Sequence, residues 1–362
     1  MSDHKEPTPE STEYLMFGGQ AIVEGVMMRS PRYFSVACRA PNNAIVIRTE
    51  PLEKTWIGRQ KWLKLPFLRG TFAILDSMTL GTRAMRFAGD VQVKSEFQPI
   101  ETDPEKAVAK PVLTEKEIKR QDSLQSVGVG AALVFGLVFG IALFNVLPNY
   151  VAEYAGNLFN DKGGTLKNYI GEIVKVILFF GYLWLISRYE PIREVFRYHG
   201  AEHKAINVWE AGQPLSMENC LGQTRLHPRC GTSFAVIVFI VSFLLFPIVP
   251  RYPITGVAGN PLKDVPVRIL VELCLLPLVA GISYELLRLA GKLRDQRWVT
   301  FAFAPGLASQ KFLTTLEPEN KHVEVALASL DAVVLAERTG ELTESDDYTL
   351  PETLSAPTPA TA

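Results

Sequence analysis

The sequence predicts an α-helical integral membrane protein with about four transmembrane helices and a small cytoplasmic α+β portion containing a β-hairpin. Three observations carry that expectation: long charge-free apolar runs after residue 122, a side-to-side alternation of Lys and Arg between those runs, and a strand-turn-strand pattern before residue 51. With 362 residues and a formal net charge of −1, the chain lacks the basic stripe that a nucleic-acid partner would require.

The first residues are polar and acidic, without a basic region leading into an apolar core, so no cleaved secretory signal is expected and residues 1–16 read as a disordered tail. Residues 17–89 read as a cytoplasmic unit. Within it "GGQAIVEGVMMRSP" (18–31) combines paired glycines with Gln20 and Glu24; it reads as a loop folded against a functional site or as a segment entering the hairpin. "FSVACRAPNNAIVIRTE" (34–50) reads as two short strands with outward polar residues around a Pro-Asn-Asn turn. "LPFLRGTFAILDSMTLGTRAMRFAG" (65–89) spaces Phe67, Leu68, Phe72, Leu75, Met78 and Met85 near helical period, predicting an amphipathic helix on the protein core or on the membrane. Residues 90–122 are rich in charge and Pro and read as a flexible linker.

The membrane domain is expected over 123–290. The runs near 123–152 and 230–250 are free of charged side chains and exceed the ~20 residues that cross a hydrocarbon core. Two further spans, about 170–188 and 266–289, carry Glu172, Lys175, Glu272 and Glu285, which are expected to face inward. Lys and Arg concentrate before the first span, in the loop 189–229 and after the fourth, which predicts a multi-pass cell-membrane protein with both termini cytoplasmic. A cytoplasmic C-terminal segment, 291–339, holds a helix at about 319–338, and 340–362 read as a disordered tail.

The chemistry concentrates in loop 189–229. In "FRYHGAEHKAINVWE" (196–210), a helix restarting near Pro191 places His199 and His203 one turn apart on one face, spaced to meet a single ion. The order His-x-x-Glu-His resembles the inverted zincin motif, which would make both histidines ligands and Glu202 the general base. "LHPRCGTSF" adds His227 and Cys230, either of which could be a third ligand; Glu285, near the cytoplasmic end of the fourth span, is the carboxylate alternative. The expected cofactor is therefore a divalent metal, zinc by ligand type. The four cysteines show no disulfide spacing.

"GGQAIVEGVMMRSP", "YHGAEHKAIN", "HPRCGTSF" and "PGLASQKFLTTLEP", in this order, resemble the YqhQ-like bacterial membrane family of unknown function, described as predicted metal-dependent enzymes. The resemblance covers about residues 17–335 and implies a polytopic membrane protein with a metal site. It implies no known reaction. The reading that follows is a metal-dependent membrane enzyme, a hydrolase whose substrate is a membrane protein or lipid-linked molecule reaching the cytoplasmic surface of the bilayer. A non-catalytic scaffold or assembly factor binding partners through the loop and hairpin unit is the alternative. A transporter is a third, for which four spans without repeat symmetry would require a homo-oligomer.

Overall fold

A computed structural model describes residues 17–52, 68–93, 131–132, 134–253, 260–292 and 304–351. The tails 1–16 and 352–362, most of the 90–122 segment and the start of the first apolar run lie outside the described residues.

A five-stranded antiparallel sheet, in the order β1-β2-β3-β4-β5, forms one end of the molecule. Its strands are β1 (Gly18–Ile22), β2 (Gly25–Arg29), β3 (Tyr33–Arg39), β4 (Ile45–Pro51) and β5 (Glu344–Ser345). The expected hairpin is β3–β4, in register from Tyr33↔Pro51 to Arg39↔Ile45. Asn43, at φ 70°, turns the chain, and the Asn42 side chain accepts the Ala44 amide, which is how a Pro-Asn-Asn turn holds itself together. The glycine-rich stretch before it is a second hairpin, closed by Val23 and Glu24, with Glu24 at a left-handed φ of 50°. β3 is buried along nearly its whole length, contrary to the expected outward polar face, because helices cover both sides of the sheet.

Helix α1 (Leu68–Val93) packs Leu80, Ala84, Ala88 and Val91 against Ile22, Met27, Phe34, Val36 and Val46 on one face. The amphipathic helix is present, but its large apolar residues Leu75, Met78 and Met85 are exposed, and a smaller alanine-rich stripe faces the sheet. On the other face Val26, Met28, Ala37, Ile45 and Ile47 meet α4 (Glu190–Glu210) and α8 (Asn320–Thr339). α8 packs on the sheet on one side and on α4 on another, so it is buried on nearly all sides. Arg32–Glu337 at 2.7 Å and Arg39–Glu324 at 2.6 Å tie it to the sheet. Residues 340–351, expected within a disordered tail, instead supply β5 and pack Tyr348 and Leu350 on this core.

Among the described residues three helices are long and apolar enough to cross a membrane: α2 (Val134–Leu158), α3 (Thr165–Ile186) and the Pro261–Leu289 part of α7 (Pro261–Lys292), which points to a membrane environment. α2 contains a π turn at Ala142–Val146, just before Pro148, whose ring cannot fit an unbroken α-helical ladder. The run expected as another span, 230–250, is helical only as α6 (Gly231–Leu245), 15 residues that rise roughly 22 Å against a core of about 30 Å. It ends before Pro247, which has no amide to carry the helical ladder on and whose ring crowds the carbonyl four residues back. A short helix, α5 (Met217–Gly222), caps on Ser216 between α4 and α6.

Candidate metal centre

α4 starts at Glu190 and Pro191, the latter at a helix position that needs no amide donor, and runs without a break to Glu210. That continuity brings His199 and His203 edge to face, with ring centroids 4.3 Å apart. His199 Nδ1 lies 2.8 Å from the Thr314 carbonyl and His203 Nδ1 lies 2.7 Å from the Arg225 carbonyl. A carbonyl only accepts, so both Nδ1 atoms carry a proton and both Nε2 atoms are left to face another partner.

That partner is Cys230. It caps the N-terminus of α6, with its Sγ 3.1 Å from His199 Nε2 and 3.5 Å from the Thr232 amide. The ligand atoms of His199, His203 and Cys230 all lie within 4.8 Å of one another. Burial would push the Cys230 thiol up, but His199 and His203 beside it hold it well below the usual thiol range. Burial would lower His199, yet Cys230 and Glu202 raise it to about 9. Thiolate and imidazoles hold each other in place.

Glu202 is buried beside them, with Oε2 3.9 Å from His199 Nε2, and burial pushes its carboxyl up. Gly19 of β1 leaves room for it: a Cβ there would stand 2.7 Å from the Glu202 Cγ and Oε1. His227 is buried next door, its ring centroid 5.7 Å from that of His203, and burial holds its pKa below the ordinary value. Its Nε2 lies 3.5 Å from Glu210 without a hydrogen bond among the described residues. Of the two candidate third ligands, the geometry gathers Cys230 and leaves His227 adjacent. Glu285 is elsewhere: the Arg69 guanidinium holds its carboxylate, with Nε donating at 2.7 Å, and so ties α1 to α7. A carboxylate engaged in that fork is not offered to the histidine cluster.

Sequence reasoning missed the residues that build the site from behind. The short helix 304–309 runs into a π turn, Gln310–Thr314, which presents the Thr314 carbonyl to His199. Fully buried Gln310 accepts the His227 amide at 2.9 Å and donates to the His227 carbonyl and to Ser233, fixing the turn that carries Cys230. Leu316 then donates its amide to the Phe196 carbonyl, where Gly200 admits the passing backbone. Through these contacts "PGLASQKFLTTLEP" orients a side chain of "YHGAEHKAIN".

A family profile described as "Protein of unknown function (DUF1385)" matches residues 65–336. The chain belongs to this family. It is 31% identical over 351 residues to "Uncharacterized protein YqhQ" of Bacillus subtilis (strain 168), covering 96% of this chain and 99% of that protein, in agreement with the resemblance read from the four motifs. No solved structure matches. The matched region of this DUF1385 member contains all three clustered donors, Glu202 and the 304–316 support, while β1 to β4 precede it.

Proposed function

We propose that this chain is a metal-dependent membrane enzyme, a hydrolase working at the cytoplasmic membrane surface, with zinc held by His199, His203 and Cys230. The observation that carries the reading is the convergence of two imidazole Nε2 atoms on one buried thiol, each ring oriented by a backbone carbonyl behind it. Two nitrogens and a sulfur suit zinc, and three protein ligands leave a position for water or substrate. A bound divalent ion would supply Lewis acidity and a water that ionises near neutral pH. Glu202, buried against His199 with a raised carboxyl pKa, is placed to take that water's proton. His227 is the reserve donor on the same side. The cytoplasmic placement rests on the Lys and Arg alternation between the apolar runs.

The test is metal analysis of the full chain purified in detergent without chelators. Stoichiometric zinc in wild type and its loss in His199→Ala, His203→Ala and Cys230→Ser is the expected result. A metal-free wild type, or unchanged zinc in the variants, sinks the reading.

The depth of the cluster favours a second reading, a closed structural site in a non-catalytic scaffold, since His203 and Cys230 are both buried. Cobalt substitution separates the two. An open, water-bearing site gives a visible spectrum that changes with pH, and Glu202→Gln shifts that change; a closed site gives a spectrum indifferent to both.

A further inference from the structure

Among the described residues β1 is an edge strand, and none of them pairs with its outer edge. The two-residue turn at Val23 and Glu24 makes Ile22↔Gly25 a hydrogen-bonded pair, so Gln20 and Gly18 also exchange their bonds with β2. Gly19 and Ala21 therefore turn their N–H and C=O groups outward, and no described residue bonds them there. Edge strands are normally blunted by Lys, Pro or a bulge. "GGQAI" has none of these, and Gly18, Gly19 and Gln20 are exposed.

The open edge adjoins the donor cluster. Gly19 lies against the Glu202 side chain, which is 3.9 Å from His199. At the Gly18 end a cleft of about 340 Å³ opens, lined by Phe17, Gly18, Arg29, Ser30, Pro31 and Arg229. Arg229, which precedes Cys230 in the chain, is already engaged by the Glu210 carboxylate. Arg29 is about one-third exposed and meets Asp76 through one nitrogen at 2.6 Å, which leaves most of a guanidinium's five donors to the cleft.

We propose that the β1 edge binds an extended polypeptide segment as an added strand, with a carboxylate of that segment seated in the cleft at Arg29. Main-chain bonds to Gly19 and Ala21 supply the register, and the absence of side chains at Gly18 and Gly19 lets a second backbone come close. The segment then runs past Glu202 and the cluster. The inference names the substrate class of the proposed hydrolase and rests on that reading for the chemistry, but binding stands on the edge alone.

The experiment measures fluorescence anisotropy of a labelled peptide of alternating threonine and valine ending in aspartate, titrated with full-length protein in detergent, alongside zinc content. Ala21→Pro removes an outward N–H without touching the β1–β2 ladder, and is expected to weaken binding by about tenfold or more at unchanged zinc. The same peptide N-methylated at alternate amides is expected to bind wild type about tenfold more weakly, a comparison that requires no variant to fold. With both C-termini amidated, Arg29→Gln is expected to weaken the aspartate-ended peptide and not its alanine-ended counterpart. Equal binding of the methylated and unmethylated peptides, no binding to zinc-loaded protein, or light scattering showing two chains paired through this edge overturns the proposal. Protein that binds the peptide but holds no zinc overturns the metal reading and leaves strand addition intact.

Discussion

Gly200 follows His199, and a Cβ on it would collide with the Leu316 carbonyl oxygen, a backbone atom held by its own place in the 314–316 segment. That segment supplies the carbonyl that orients His199. Gly200→Ala is therefore expected to cost about 1–3 kcal/mol of stability, the usual range for overpacking, and to lower zinc retention as well. Gly222→Ala, at a position with nothing within 4 Å, is the control and should leave both unchanged. Thermal unfolding with metal analysis checks the pair; equal behaviour of the two variants would contradict the packing argument. At this scale the donors were legible because histidines four apart and a nearby cysteine carry their chemistry in their side chains. Thr314 and Arg225 were not, because each acts through a backbone carbonyl whose direction depends on distant turns. Nor does spacing show which of His227 and Cys230, three residues apart in one turn, lies against the two histidines, since that depends on a turn whose backbone Gln310 holds at His227.

Helices α4 and α8 meet at Glu194, which accepts from Lys321 at 2.7 Å and lies 2.9 Å from His322 Nε2, with Arg197 on its other oxygen. Burial pushes this carboxyl up, but the bonds from Lys321, Arg197 and His322 outweigh it and hold it at about 2. An unfolded glutamate titrates near ~4.3. With the folded value below the unfolded one, the stabilisation is complete above ~4.3 and is lost as pH falls towards 2. Glu194→Gln is expected to destabilise the protein at neutral pH, and the gap from wild type should close between about pH 5 and pH 2. A pH-independent gap in denaturation midpoints would show that Glu194 acts by packing alone. α4, α8 and the β3–β4 hairpin were readable from Pro191, from helical period and from a Pro-Asn-Asn turn. β1 and β2 were not, because glycines that normally break strands serve here to admit Glu202 and a close turn. The length of α6 was misread because apolar content continues through Pro247 and Pro250, while the helical backbone stops at Leu245.

Across the whole molecule, the apolar helices are joined by buried ion pairs. Glu153 of α2 meets Lys167 of α3 at 2.7 Å and Arg251 at 3.1 Å, while Glu272 of α7 meets Lys175 at 2.8 Å and Arg268 at 2.9 Å. Asn149 bridges the two groups, donating to Glu272 and accepting from Arg251. Lys175, Glu172 and Glu272 were expected to face inward because they interrupt apolar runs; Glu153, Lys167 and Arg251 lie outside those runs, and only folding shows them buried. Lipid tails are as apolar as leucine, so helix association in a bilayer depends on packing and polar contacts. Arg268 also donates to the Phe246, Val249 and Pro250 carbonyls beyond α6, whose other end is Cys230. The network thus anchors the far end of the helix that carries the thiol. Glu272→Gln would leave Lys175 and Arg268 short of countercharge, an imbalance that costs about 3–5 kcal/mol when a buried pair is broken. Glu50→Gln, which breaks an exposed pair with Arg83, should cost under about 1 kcal/mol. Through α6 the first variant should also release zinc at a lower temperature than the second, read by a zinc-responsive dye during thermal unfolding in detergent. If Glu272→Gln unfolds earlier yet keeps its zinc to the same temperature as Glu50→Gln, the ion pairs hold the helices together without supporting the metal centre.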